Sequence, residues 1–254
     1  MIETFPSDFT RTFSVWEPLA FVKNLKWPAL LDPVDTASIF AKIPPYLEFT
    51  VGKYGAIKKA LYITAHDKTF GSYIEFGVFT GSSFNFAMKA NSTLDKLLGK
   101  SDCDFFGFDS FDGFGKVKKD DDHPRFSDDT FSVDEKKILK NIKKNSNNQP
   151  YQIIKGFFHE TLLKDPKDYG IKKARVIMMD CDLKEPTKLA LNFVKSILQQ
   201  GTIILFDDYI FYKGDEDKGE FGALKEFKEK FPSIKIREAF DYGYGSKAFI
   251  VSKI

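Results

Sequence analysis

From Ser72 onward, short apolar runs alternate with stretches whose apolar residues recur every three or four positions. Ser72–Phe76, Asp104–Phe108, Tyr151–Lys155, Val176–Asp180 and Thr202–Phe206 have the length and residue types of buried strands. Between and after them, Ser82–Ala90, Asp134–Lys144, Pro186–Leu198 and Phe221–Lys230 read as helices. Ile138, Leu139 and Ile142 mark the inward side of the second. Upstream, Ile57, Leu61 and Ile63 with Lys58 and Lys59 predict an amphipathic helix over Tyr54–His66. At the other end, Ile234–Ala239 and Lys247–Val251 flank the turn Asp241-Tyr-Gly-Tyr-Gly245, a hairpin signal. This alternation predicts an α/β, doubly wound, mostly parallel seven-stranded sheet with helices on both faces and a C-terminal antiparallel hairpin. Ligands of such sheets bind beyond the carboxyl ends of the strands, at the point where strand order reverses.

Two segments fall outside the alternation. Residues 1–55 are dotted with proline and carry Phe13, Trp16, Phe21, Trp27, Tyr46 and Phe49, too apolar for a disordered tail. They are expected to form an N-terminal arm or lid, leaving 56–254 as the main domain. Gly113 to Asp134 is long and highly charged, and is expected to form a lid over the site, centred on residues 116–133.

Composition narrows the class. Lys plus Arg number 38 and Asp plus Glu 36, a formal charge of +2, which gives no support for nucleic-acid binding. The two cysteines, Cys103 and Cys181, form no C-x-x-C pair, so neither a zinc site nor a disulfide framework is expected. The N-terminus lacks a secretory pattern, and no apolar run reaches the roughly 20 residues needed to span a bilayer. A cytoplasmic protein with no membrane partner is expected. The apolar arm favours a homo-oligomer, a dimer. Phe76, Phe79, Phe84, Phe86, Phe105, Phe106 and Phe108, among 28 phenylalanines, are expected to build the core around the site.

The chemistry concentrates at Tyr73–Ser82, Y-I-E-F-G-V-F-T-G-S. A strand, a glycine turn (Gly77, Gly81) and a helix starting at Ser82 and Ser83 make a nucleotide-cofactor site. Glycine allows close backbone approach, and the helix end offers unpaired N–H groups. Glu75 argues against a phosphate loop and for a cationic ligand such as S-adenosylmethionine, which carries a sulfonium and an ammonium. The spacing G-x-x-x-G is also not the dinucleotide spacing, which disfavours a nicotinamide oxidoreductase. The bland alternative is a glycine turn closing a buried strand.

Acids mark the other strand ends. Asp109 closes strand two and is placed to accept hydrogen bonds from ribose hydroxyls. Asp180 and Asp182 close strand four, and Asp207 and Asp208 close strand five. Any one of these acids could be a helix N-cap. Two pairs on neighbouring strands ask for more, because gathered carboxylates raise one another's pKa. A divalent cation with oxygen ligands, such as Mg2+, would relieve this. If the extended backbone persists through Asp182, Asp180 and Asp182 fall on one face. His159, after strand three, is a rival base or simply a helix-start residue; His66 and His123 read as surface or loop positions.

In order along the chain stand E-F-G-V-F-T-G-S-S, G-F-D-S-F-D-G-F, K-G-F-F-H-E-T-L, D-C-D-L-K-E-P-T, F-D-D-Y and G-E-F-G-A-L-K-E-F. From Thr50 to Glu229 this set resembles the macrocin-type sugar O-methyltransferases. The resemblance implies a class I methyltransferase, Rossmann-like fold that uses S-adenosylmethionine and Mg2+ to methylate a sugar hydroxyl of a small-molecule acceptor. By similarity, Glu75, Gly77, Ser82, Asp109 and Ser110 would contact the cofactor, and Gly156 and Phe157 would lie near the adenine. Asp180, Asp207 and Asp208 would hold the metal, and Asp182 would be the general base. Lys184 stands where relatives often have tyrosine, and Thr80 where many have arginine. A catechol-type O-methyltransferase, or a catalytically idle cofactor-binding domain, would share much of this pattern.

Overall fold

The computed structural model describes residues 41–118, 121, 123–126 and 131–254. Most of the expected N-terminal arm, and residues 119–120, 122 and 127–130 of the expected lid, lie outside the described residues. The chain from Glu48 to Ile254 forms one compact unit.

Helix α1, Pro45–His66, starts at Pro45 rather than at the expected Tyr54. Proline suits the first helical position, where its fixed φ is already helical and its missing N–H would lack a partner anyway. Gly52 and the preceding prolines obscure the helical periodicity upstream of Tyr54. Gly52 sits mid-helix because α1 passes hard against the C-terminal hairpin. A Cβ there would lie 2.9 Å from the backbone nitrogen of Gly243.

Among the described residues, seven strands form one sheet in the order β3-β2-β1-β4-β5-β7-β6. They are β1 (Ser72–Phe76), β2 (Phe105–Asp109), β3 (Tyr151–Lys155), β4 (Ala174–Met179), β5 (Ile203–Phe206), β6 (Lys235–Tyr242) and β7 (Ser246–Lys253). Every neighbouring pair from β3 to β5 is parallel, while β7 runs antiparallel to both β5 and β6. The expected doubly wound sheet and closing hairpin are therefore present. Strand order reverses between β1 and β4, as the chain first builds outward through β2 and β3 and then returns.

Alternation along each strand assigns the two faces. Ile74 and Phe76 of β1, Ile177 and Met179 of β4, and Ile204 and Phe206 of β5 join one core layer with α5 (Lys184–Val194) and α6 (Gly219–Lys230). Tyr73, Val176, Met178, Ile203 and Leu205 point the other way, into a layer with α1, α2 (Ser82–Leu98) and α3 (Glu135–Asn145). A short turn of helix, α4 (Phe158–Thr161), follows β3. Of the expected core phenylalanines, Phe79 is instead 39% exposed, on the loop after β1.

One buried cation fixes α1 and α2 to the sheet. Arg175 of β4 is fully buried and donates to Leu61 O (2.7 Å), Thr64 Oγ1 (2.8 Å) and Asn91 Oδ1 (3.0 Å). It thereby holds the helix that carries Lys53. Both cysteines are free and buried. No described helix is long and apolar enough to cross a membrane.

Candidate active site

At the reversal point, the loops after β1 and β4 touch. Asp180 N donates to Phe76 O (2.9 Å), and a Cβ on Gly77 would lie 2.0 Å from Asp180 O. With φ at 89°, Gly77 meets both demands that exclude other residues, positive φ and missing volume. Gly81, at φ 74°, caps α2 without a side-chain bond. Ser82 is exposed at the start of this helix, and its N-terminus faces the same loop.

Asp109 closes β2 and organises this loop. Its Oδ2 accepts from Val78 N and Phe79 N, each at 2.7 Å, and its Oδ1 accepts from Phe111 N at 2.6 Å. Burial raises its pKa, and the three N–H bonds oppose that shift. Asp109 therefore shapes the glycine loop and is not simply a free acceptor for ribose hydroxyls. Ser110 Oγ donates to Gly113 O at 2.7 Å. Gly156 N donates to Asp109 O at 3.0 Å, which sets the residues after β3 beside those after β2. Phe157 follows, its ring in reach of Gly115. His159 is exposed and stacks on Phe157, with ring centroids 5.6 Å apart.

Glu75 is fully buried inside the α1–α2 layer. It accepts from Tyr73 Oη (2.6 Å) and Ser83 Oγ (2.7 Å). Burial pushes its pKa up to about 8, although both hydroxyls favour the ionised form. Glu75, Gly77, Asp109 and Gly156 thus converge on one edge of the sheet.

The second constellation lies at the ends of β4 and β5. Asp180, Asp207 and Asp208 each offer a carboxylate oxygen, and the three oxygens lie within 4.8 Å of one another. Lys53 of α1 reaches in, 2.8 Å from Asp180 Oδ2 and hydrogen-bonded to Asp207. Asp207 Oδ1 is buried with no partner among the described residues, and so is the Tyr242 hydroxyl at the end of β6.

Asp182 departs from the extended geometry that the strand-end spacing suggested. Its φ is 59°, a left-handed value uncommon outside glycine. That turn still brings its side chain to hydrogen-bond Asp208. Burial, then the charge of Asp180, pushes the pKa of Asp182 up to about 8. Asp207 and Asp208 are raised as well, by burial and by neighbouring carboxylates.

Glu220 went unnoticed as a site residue in the sequence. It is fully buried on α6 and accepts from Cys181 N (3.2 Å) and Asp208 N (3.0 Å). One carboxylate thus fixes the backbone of both acid-bearing loops. Only its place in the G-E-F-G-A-L-K-E-F segment hinted at this; an acid in a helix's first turn otherwise reads as a solvated partner of the helix dipole.

The charged segment after β2 is anchored at two points. Asp121 is buried and accepts from Lys184 N (2.7 Å), capping α5, and Tyr212 Oη donates to Asp121 O (3.1 Å). His123 stacks on Phe126 at 4.5 Å. Lys184, where relatives often carry tyrosine, pairs with Glu226 at 2.6 Å.

A glycine loop beside acid-bearing strand ends suits a group-transfer cofactor and a divalent ion. The three aspartates, with an unpartnered buried oxygen among them, fit a hard cation that takes oxygen ligands. A family model described as Macrocin-O-methyltransferase (TylF) matches residues 51–238. No curated protein matches the sequence. Among solved structures, the O-methyltransferase NovP is 19% identical, with a TM-score of 0.62 over 80% of this chain and 81% of its own. CalS11, a calicheamicin methyltransferase, is 19% identical, with a TM-score of 0.60 over 88% of each chain. An O-methyltransferase from Bacillus cereus in complex with SAH is 14% identical, with a TM-score of 0.51 over 87% of this chain and 97% of its own. At these identities the structures bear on the fold, which is that of class I O-methyltransferases.

Proposed function

The chain belongs to the macrocin-O-methyltransferase (TylF) family of sugar O-methyltransferases, and from that premise we propose that it moves a methyl group from S-adenosylmethionine to a hydroxyl of a sugar or glycosylated small molecule, assisted by Mg2+. The carrying observation is the cluster of Asp180, Asp207 and Asp208 beside the Gly77 loop. One solved structure of similar fold, CalS11, is described as a TDP-rhamnose 3'-O-methyltransferase, which supports a sugar acceptor.

In this reading Gly77, Ser82, Asp109, Ser110, Gly156 and Phe157 frame the cofactor. Asp109 acts through the loop it holds as well as by any contact of its own. Glu75 sits beneath that loop, bonded to Tyr73 and Ser83, and tunes the charge under the cofactor. Asp180, Asp207 and Asp208 would hold the ion, which when bound would lower the acceptor hydroxyl's pKa and stabilise its developing negative charge.

Asp182 takes the acceptor's proton. It is buried beside the aspartates and hydrogen-bonded to Asp208, and proton transfer of this kind is worth about 10²–10⁴-fold in rate. Exposed His159 is the less suitable base, since its ring stacks on Phe157 in open solvent, whereas Asp182 is buried and bonded to Asp208. The aspartates and Asp182 together orient the hydroxyl for in-line attack on the methyl carbon. Holding that alignment contributes up to about 7–11 kcal/mol.

A screen of glycosides, nucleotide sugars and catechols with S-adenosylmethionine and Mg2+, read by mass spectrometry, tests this reading. Methylated sugar product is expected. Methylation of catechols with none of sugars would move the protein to the catechol-type reading.

A further inference from the structure

The acid cluster already has a cation of its own. Lys53 Nζ lies 2.8 Å from Asp180 Oδ2, hydrogen-bonds Asp207, and has a side chain only 15% exposed. Its placement is built into the fold. The backbone of α1 approaches the β6–β7 turn so closely that position 52 has no room for a Cβ beside Gly243. Arg175 locks the far end of the same helix to β4. The ring of Phe49, one turn earlier on α1, sits 5.2 Å from the Lys53 ammonium. A helix costs stability to carry glycine in its interior, so this close approach is bought at a local expense that serves the placement of Lys53.

An ammonium and a divalent ion cannot share the same carboxylates at no cost. Mg2+ takes its oxygen ligands at about 2.0–2.1 Å, and a positive charge in contact with those carboxylates repels it. We infer that Lys53 is the resident counter-ion of the site, competing with the divalent cation for Asp180 and Asp207 and so setting how tightly that ion is held. This rests on the reading that the aspartates bind a divalent ion. In the ion's absence Lys53 keeps the buried acids paired, which spares the fold the penalty of uncompensated buried charge. When the ion enters, the ammonium gives up Asp180 and Asp207. Loading the site is therefore an exchange of cations, and affinity stays below what the acids alone would give.

The test measures Mn2+ binding by electron paramagnetic resonance, and Mg2+ binding by calorimetry, in the full chain. Wild type, Lys53→Met, Lys53→Gln and Asp208→Asn are compared, and melting is followed in chelator and in excess ion. The neutral variants should bind the ion on the order of tenfold more tightly or better, with a larger ion-induced rise in Tm than wild type. Lys53→Gln retains a hydrogen-bond donor and guards against failure of Lys53→Met to fold. A Lys53→Met protein that folds only with the ion present would also support the exchange. Equal or weaker ion binding in Lys53→Gln overturns it. If neither wild type nor the Lys53 variants bind Mn2+, the metal reading itself falls, and the inference with it. Asp208→Asn should lose binding in every case where wild type shows it.

Discussion

At the scale of single residues, the site is a set of buried acids with shifted proton affinities. Glu75 gives a pH prediction for the chelated, cofactor-free protein. In the unfolded chain it titrates near 4.5, and burial moves this to about 8 in the fold. Between those values the folded state holds a proton that the unfolded state has released. The stabilisation is complete below the lower value and is lost as pH rises through about 8. Stability is expected to fall by roughly 2–4 kcal/mol between pH 5 and pH 8 from this residue. Glu75→Gln should flatten that slope, read as Tm against pH; an unchanged slope would remove Glu75 as its source. Asp182→Asn should keep ion and cofactor affinity and lose about 10²-fold or more in kcat, since an amide takes no proton at neutral pH. A near-normal rate would pass the base role to His159 or to solvent. The residues named from sequence were legible because strand-end acids announce themselves by position. Their partners were not. That Asp109 is spent on three backbone N–H groups, or that Asp182 turns left-handed, depends on loop geometry that no spacing encodes.

At the scale of elements, the informative contacts are those that cross between them. Glu220 of α6 holds Cys181 N and Asp208 N, one on each acid-bearing loop. Glu220→Gln leaves a single acceptor oxygen for two buried donors, at a cost of about 1–3 kcal/mol. We expect it to weaken ion binding about tenfold while wild-type-like cofactor affinity remains, because the Gly77 loop is held by Asp109 instead. Loss of both affinities alike would mean that Glu220 supports the fold and not the loops specifically. Strands and most helices were legible because apolar runs and three-to-four spacing report burial directly. Helix α1 was read short because Gly52, on the side that meets the hairpin, breaks the apolar spacing upstream of Tyr54. That glycine answers to a neighbouring hairpin and to no local pattern.

For the whole molecule, the reversal of strand order between β1 and β4 does the assembling. It opens the crevice into which the Gly77 loop, Asp109 and the aspartates all project, and it was foreseeable from the alternation of strands and helices alone. The reach of Lys53 from α1 to those aspartates was not, since nothing in a sequence marks which helix packs beside the site. The central claim is ion-assisted methyl transfer to a sugar hydroxyl. It is tested most directly by following transfer of labelled methyl from S-adenosylmethionine to a glycoside acceptor after exhaustive chelation and then along a Mg2+ titration. The account predicts turnover abolished by the chelator and restored by the added ion. Undiminished turnover in the chelated enzyme would contradict it.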